Sequence, residues 1–361
     1  MGSPRSRRDF LQGRHAAEGS ESRESAGNSP LAMPEPPRNA ELWYISRRAM
    51  ACTFEICLSA AQHPEATEVA SEALDLVEEM ERQLSYFRDS SELTRINALA
   101  AKMPVPVEPR LFELLQVGQR IYRESDGAYD LTSAPLWELW GFARHEGSVP
   151  SQAEIDAARE KVGFDQVVLE REGRTVRFLR EGVKLNFGSI GKGYALDRCA
   201  ELLAQRGVND YLLSGGMSSV LAKGQPAPGD DQRWSVGIKN PLRLEKRLGQ
   251  VFLRDRGLST SGSYVQSFRF EGKRYGHILD PRSGWPAQDV LSATVLAPTA
   301  ALAEALSTAM YVLGREKAVD YCRRNPEVGL LMLCPSRRGG GIEIVVEGIA
   351  AHHIEIASVS P

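Results

Sequence analysis

Apolar and polar positions change their spacing along this chain, and the changes mark out its elements. Thr53-Phe54-Glu55-Ile56-Cys57-Leu58 alternates and predicts a strand in a folded part that opens near Leu42. From Pro64 to Leu84 the apolar residues Val69, Ala73, Leu76, Val77, Met80 and Leu84 return at helical spacing. Acidic residues fill the other face, so an amphipathic surface helix is expected. Further helices are expected after Pro109, carrying Leu111, Leu114, Leu115 and Ile121, then from Gly193 to Leu203 and from Pro298 to Leu313. Glu172-Gly173 lies between the runs 167–169 and 175–178, and Glu271-Gly272 between 267–270 and 274–275. Both are hairpin signatures. The run 342–346 is expected as a closing strand. Hairpins mixed with separate helices, without a fixed repeat, predict an α+β fold with largely antiparallel sheets rather than a regular βαβ winding.

Composition narrows the function classes. The 361 residues are 42% hydrophobic and 25% charged, enough for one large domain or two intimate ones with a full core. A net charge of −3 gives no basic face for nucleic acid. No apolar run approaches the ~20 residues of a membrane span. The five cysteines, Cys52, Cys57, Cys199, Cys322 and Cys334, lack metal-ligand spacing, and an odd count argues against a full disulfide framework. Buried free thiols are expected. Residues 1–41 are rich in Ser, Arg, Glu, Gly and Pro and are expected to be a disordered tail ahead of a folded domain over 42–355. Ser6-Arg7-Arg8-Asp9-Phe10-Leu11 is similar to a twin-arginine export signal, but no apolar core follows it. A cytoplasmic location is therefore favoured, with periplasmic export as the alternative.

Three segments carry candidate chemistry on their residues alone. In Lys184-Leu185-Asn186-Phe187-Gly188-Ser189-Ile190-Gly191-Lys192-Gly193 a strand enters a glycine turn that opens a helix. Free backbone N–H groups and the positive helix start suit a diphosphate, and Lys192 adds a mobile cation. The pattern is neither a Walker loop nor the dinucleotide fingerprint. His277 and Asp280, three apart at a Pro/Gly-punctuated turn, can converge on one point. Glu304 and Thr308, four apart, share a helical face opposite Leu302, Leu306, Ala309 and Leu313. On pattern alone that face would be solvent. Likewise Met50, Trp137, Trp140 and Phe142 read as core, and Ser91-Glu92-Leu93-Thr94 as a helix cap.

Taken in order, six segments resemble the ApbE family of FAD:protein FMN transferases. They are the run around Met50-Ala51-Cys52-Thr53, the run Ser85-Tyr86-Phe87 with Ser91-Glu92-Leu93, Gly127-Ala128-Tyr129-Asp130, the glycine turn, Ser214-Gly215-Gly216, and Ala303-Glu304-Ala305-Leu306-Ser307-Thr308. Tyr275-Gly276-His277-Ile278-Leu279-Asp280-Pro281 adds the family's active-site turn. The resemblance implies two related α+β halves with the active site between them. It places Met50 against the flavin and Phe87 stacked on the isoalloxazine. Ala128, Tyr129, Asp130, Asn186, Lys192 and Ile278 would line the FAD site, with Asp130 accepting from a ribose or an adenine amine. Ser189, Glu304 and Thr308 would ligate Mg2+. His277 would activate the attacking hydroxyl, with Asp280 orienting it or aiding the metal. The chain departs from the family at Ala51-Cys52, at Phe87 (commonly Tyr), at Ser90 (acidic), and at Asn186 and Glu304 (both Asp in relatives). The implied activity is Mg2+-dependent transfer of FMN from FAD to a threonine of an acceptor protein, with AMP released. Implied acceptors are flavoproteins with a Ser/Thr-containing flavinylation motif, among them subunits of redox-driven membrane pumps. Two alternatives stay open: an FAD pyrophosphatase giving FMN and AMP, and a flavin-binding relative without turnover.

Overall fold

The structure, a computed structural model, describes residues 42–356 apart from 61, 64, 217, 230, 231, 264, 265 and 337–340. The expected tail with its twin-arginine-like stretch lies outside the described residues.

An eight-stranded sheet forms the backbone of the fold. Its strands are β1 (Leu42–Ala49), β2 (Cys52–Ser59), β3 (Tyr211–Gly215), β4 (Ser219–Lys223), β5 (Arg256–Gly262), β6 (Ser292–Ala297), β7 (Gly329–Pro335) and β8 (Ile342–Glu347). They lie side by side in chain order, every neighbour antiparallel. A two-residue turn joins β1 to β2, with Met50 at φ 48° and Ala51 at φ 60°. Both central residues of a type I′ turn need positive φ, which matches the twist of the flanking strands. The inner strands are covered on both faces: every residue of β3 and of β6 is buried. Their sequences therefore run apolar and small instead of alternating.

The other elements are excursions from this meander. Between β2 and β3 come helices α1 (Thr67–Leu84), α2 (Glu92–Leu99), α3 (Pro109–Glu124), α4 (Ala134–Leu139), α5 (Gln152–Arg159) and α6 (Gly191–Gln205). A three-stranded sheet lies among them, with Thr175–Phe178 between Val105–Pro106 and Val167–Glu170. Trp234–Asn240 and Arg243–Leu253 follow β4 and pair with each other, and Arg243–Leu253 pairs further with Ile354–Ile356. The hairpin Ser267–Phe270/Lys273–Gly276 follows β5, and helix α7 (Ala300–Arg324) joins β6 to β7. Gly314, at φ 75°, breaks α7 but does not end it.

Antiparallel sheets with separate helices are the fold class the pattern predicts, and both hairpins stand where Glu-Gly pairs mark them. Helix α7 outruns its expected end because Gly314 only kinks it. A short strand follows β8, so the run 342–346 does not close the chain. Of the cysteines, Cys57, Cys199, Cys322 and Cys334 are buried free thiols and Cys52 is half-buried. Among the described residues no helix is long and apolar enough to cross a membrane.

Candidate active site

The glycine turn is shaped by side-chain amides. Asn97, on α2, receives the Leu185 N–H at 2.8 Å and donates to the Leu185 carbonyl at 3.0 Å, taking the place of a strand partner. Asn186 N–H donates to Leu131 O at 2.8 Å, and its own Oδ1 receives Gly188 N–H at 2.7 Å. The Asn186 side-chain oxygen thus bends the turn. Helix α6 then starts at Gly191 with its first N–H groups lacking intrahelical partners.

One of those groups meets α7. Gly193 N–H donates to Glu304 Oε2 at 2.7 Å, and Lys192 Nζ donates to Glu304 Oε1. Glu304 is only 4% exposed, so its carboxylate needs such partners to remain charged. Burial works against the Lys192 ammonium, but attraction to Glu304 outweighs it and holds the lysine above its usual pKa. One turn along, Thr308 Oγ1 lies 3.2 Å from Ser261 Oγ, and Ser307 Oγ 2.8 Å from the same atom. Ser189 Oγ donates to the hydroxyl of buried Tyr129 at 3.3 Å. Burial raises the Tyr129 pKa, and the Glu304 charge adds to the effect. At Cys52 burial pushes the thiol up to about 11, opposed by Lys192 and aided by Glu304.

His277 enters from the hairpin Ser267–Phe270/Lys273–Gly276. Its Nδ1 lies 3.0 Å from Gln266 O, and its backbone N–H donates to the same carbonyl at 3.2 Å. A carbonyl only accepts, so Nδ1 carries the proton and Nε2 keeps the lone pair. Burial lowers the His277 pKa, and the Lys192 charge lowers it further. The imidazole is thus neutral near pH 7, within the field of the cation that Glu304 holds. Phe142 packs edge-on to it, ring centroids 6.4 Å apart.

Asp280 is paired within its own turn. Its carboxylate receives Arg282 Nε and Nη2, each at 2.8 Å, and it holds the Pro281–Gly284 turn instead of His277. The backbone carbonyl of Gln266 orients the imidazole. Asp130 is likewise turned inward. Oδ1 accepts from Thr132 N–H at 2.8 Å and Thr132 Oγ1 at 2.7 Å, and the Phe164 N–H also bonds to the carboxylate. Burial pushes Asp130 up to about 7 against those bonds.

Phe87 belongs to an aromatic platform. Phe87 is 52% exposed, edge-on to Tyr86 at 5.7 Å and tilted against Trp137 at 6.1 Å. Trp137 is half-buried beneath this platform, whereas Trp140 and Phe142 are core as expected. Glu138 steadies the platform, receiving Tyr86 OH at 2.6 Å and Lys184 Nζ at 2.8 Å. Met50 N–H donates to Glu81 Oε2 at 3.0 Å, so α1 fixes the β1–β2 turn. Ala128 and Ile278 are buried beside the cluster, and Ser91 caps α2 by accepting from Thr94 N–H at 3.0 Å.

Among the described residues no group of three or more His, Cys, Asp or Glu could hold a metal. The oxygen donors around Glu304 are one carboxylate and hydroxyls. That set suits a hard cation completing its shell with water and substrate phosphate, as Mg2+ does.

The chain matches the ApbE family model over residues 50–332. It belongs to the ApbE family. It is 35% identical to the FAD:protein FMN transferase of Salmonella typhimurium over 268 residues, 72% of this chain and 74% of that one. With the enzyme of that name from Treponema pallidum it is 33% identical over 281 residues, 74% and 77% of the two chains. The flavin transferase ApbE of Vibrio cholerae superimposes with TM-score 0.74 at 27% identity, covering 85% of this chain and 97% of that one. The apo flavinyl transferase ApbE of Pseudomonas stutzeri gives TM-score 0.75 at 30% identity, with 85% and 95% covered.

Of the residues the ApbE resemblance singles out, Lys192 bonds to Glu304, Thr308 Oγ1 lies 3.5 Å from the Glu304 carbonyl oxygen, and Ser189 bonds to Tyr129. Asn97, Gln266, Glu138 and Asp197, which accepts the Ala300 and Ala301 N–H groups at the start of α7, were missed. Each acts by supporting another group, and an amide, a backbone carbonyl or a capping carboxylate leaves no spacing to read in a single sequence.

Proposed function

We propose that this protein transfers the FMN half of FAD to a threonine of an acceptor protein and releases AMP. The observation that carries the reading is the buried Glu304 carboxylate paired with Lys192 at the start of α6, together with His277, whose Nδ1 is held by Gln266 O so that Nε2 keeps its lone pair. FAD is the substrate. Its isoalloxazine would lie on Phe87 with Met50 opposite, a contact that needs only a flat apolar face. The positive start of α6 and the Lys192 ammonium would receive the diphosphate. Mg2+, held by Glu304, Thr308 and Ser189, would neutralise charge on the phosphates. The acceptor is proposed to be a flavoprotein segment carrying a Ser/Thr-containing flavinylation motif.

His277 Nε2 takes the proton of the threonine hydroxyl as its oxygen attacks the FMN phosphorus. A phosphorus–oxygen bond forms, the bond to the bridging oxygen breaks, and AMP leaves with that oxygen. The proton on the imidazole passes to solvent. Gln266 O holds Nδ1–H throughout, keeping Nε2 turned toward the hydroxyl. The test is His277→Ala. AMP release, with the FMN-sized mass gain on a pump subunit bearing the motif, should be lost while FAD still binds. Undiminished AMP release by the variant refutes the role. AMP release from FAD with no acceptor present, at the same rate, would instead identify an FAD pyrophosphatase.

A further inference from the structure

Helices α6 and α7 close each other's N-termini by a reciprocal arrangement. Glu304, one turn into α7 from Ala300, accepts the Gly193 N–H at the start of α6 at 2.7 Å. Asp197, one turn into α6 from Gly193, accepts the first two N–H groups of α7: Ala300 at 2.8 Å on Oδ1 and Ala301 at 2.9 Å on Oδ2. The two helices touch between these bonds, where a Cβ on Gly193 would stand 2.3 Å from Ala300 O. From the other side Gly257 leaves the same room, its Cβ position lying 2.6 Å from Thr299 O. The start of α7 is thus gripped by two glycines and bonded by a carboxylate that uses both oxygens. Glu304 has one oxygen on Lys192, at the site; Asp197 is spent entirely on backbone.

We propose that Asp197 is a positioning residue for flavin transfer. It sets the seat of α7, so that Glu304 and Thr308 meet the glycine turn and Lys192 in register. Asp197 touches no substrate, and a helix cap that only stabilised would add to stability wherever it sat without acting on turnover. Here the capped helix carries Glu304 four residues later, and a shift of about 1 Å at a reacting centre costs on the order of a hundredfold in rate. The Asp197 and Glu304 charges also act on one another. Lys192 neutralises one and the α7 N-terminus the other, so losing the second cap disturbs the first pair.

The proposal rests on the flavin-transfer reading, so the wild-type enzyme is assayed first. If it binds FAD but releases no AMP with a motif-bearing acceptor, that reading fails and takes the proposal with it. Given wild-type turnover, Asp197→Asn keeps the size and one acceptor but turns an amide N–H toward a backbone N–H. The expected result is a fall in kcat of at least tenfold, with the FAD dissociation constant, read by flavin fluorescence, within threefold of wild type. Ser151→Ala, which strips the capping box from α5, is the control for destabilisation alone and should leave both constants unchanged. Asp197→Glu, which keeps the charge and both acceptors, should recover part of the lost kcat. It carries the test by the same split of kcat from FAD affinity if the Asn variant does not fold. An unchanged kcat, or a parallel loss of kcat and FAD affinity, overturns the proposal.

Discussion

Replacing Gly193 by alanine tests whether the junction of α6 and α7 controls both stability and turnover. The added Cβ would meet Ala300 O at 2.3 Å, Ala300 C at 2.5 Å and Ala301 N at 2.7 Å. All three are backbone atoms in a capped first turn, so no rotamer change can relieve them. Restoring ordinary contact requires the helices to part by roughly 1 Å. Overpacking of this kind costs about 1–3 kcal/mol. The same movement stretches the Gly193 N–H to Glu304 bond beyond its 2.7 Å and draws Glu304 from Lys192. A displacement of that size costs on the order of a hundredfold in rate. Urea unfolding followed at Trp fluorescence should register the first effect, and AMP release from FAD with an acceptor the second. Gly207→Ala separates strain from position. Nothing lies within 4 Å of its Cβ, but φ is +78°, so it should lose about 1 kcal/mol with unchanged turnover. A Gly193→Ala enzyme within twofold of wild-type kcat and about 0.5 kcal/mol of wild-type stability would refute the reasoning.

Other outcomes follow from individual groups. Ala51 sits at φ 60° in the β1–β2 turn, so Ala51→Gly should stabilise by about 1 kcal/mol, seen as a higher urea midpoint. Asp130 is raised to about 7 from the usual carboxylate range near ~4. The folded protein therefore binds more protons than the unfolded chain across that window. Its contribution is full below pH ~4 and lost as pH rises through about 7, by a few kcal/mol at most, and Asp130→Asn should flatten the fall in urea stability between pH 5 and 8. Burial lowers the His277 pKa, and the base works deprotonated, so kcat/KM should fall on the acid side with a midpoint below ~6.5; a midpoint above that value contradicts the assignment.

Local periodicity was enough for what lies at the surface of this fold and failed for what lies inside it. The amphipathic helix α1 is legible because one face meets water, and the Glu271-Gly272 hairpin because both turn residues take positive φ; in the hairpin at Glu172-Gly173 the positive φ falls on Arg174 instead. The first half of helix α7 is enclosed on nearly every side, so the face marked by Leu302, Leu306 and Ala309 is not the only buried one, and the side holding Glu304 reads as solvent although it is buried. The inner strands β3 and β6 lose alternation for the same reason. At the site, motif order picked out His277, Lys192 and Glu304, but not the group that meets His277 Nδ1. Sequence proximity offers Asp280 three residues away, yet Arg282 is nearer in the turn and binds the carboxylate through two nitrogens at 2.8 Å. The orienting group is a backbone carbonyl eleven residues upstream, reached only because the hairpin folds it back. Backbone acceptors are carried by every residue type, so no sequence pattern can announce one. The extra methylene of Glu304 belongs to the same class of detail. From sequence it reads as a departure that endangers a metal ligand. In the folded chain its carboxylate reaches both the Gly193 N–H and Lys192, so its length suits the span between two helices that Gly193 and Asp197 hold in close contact.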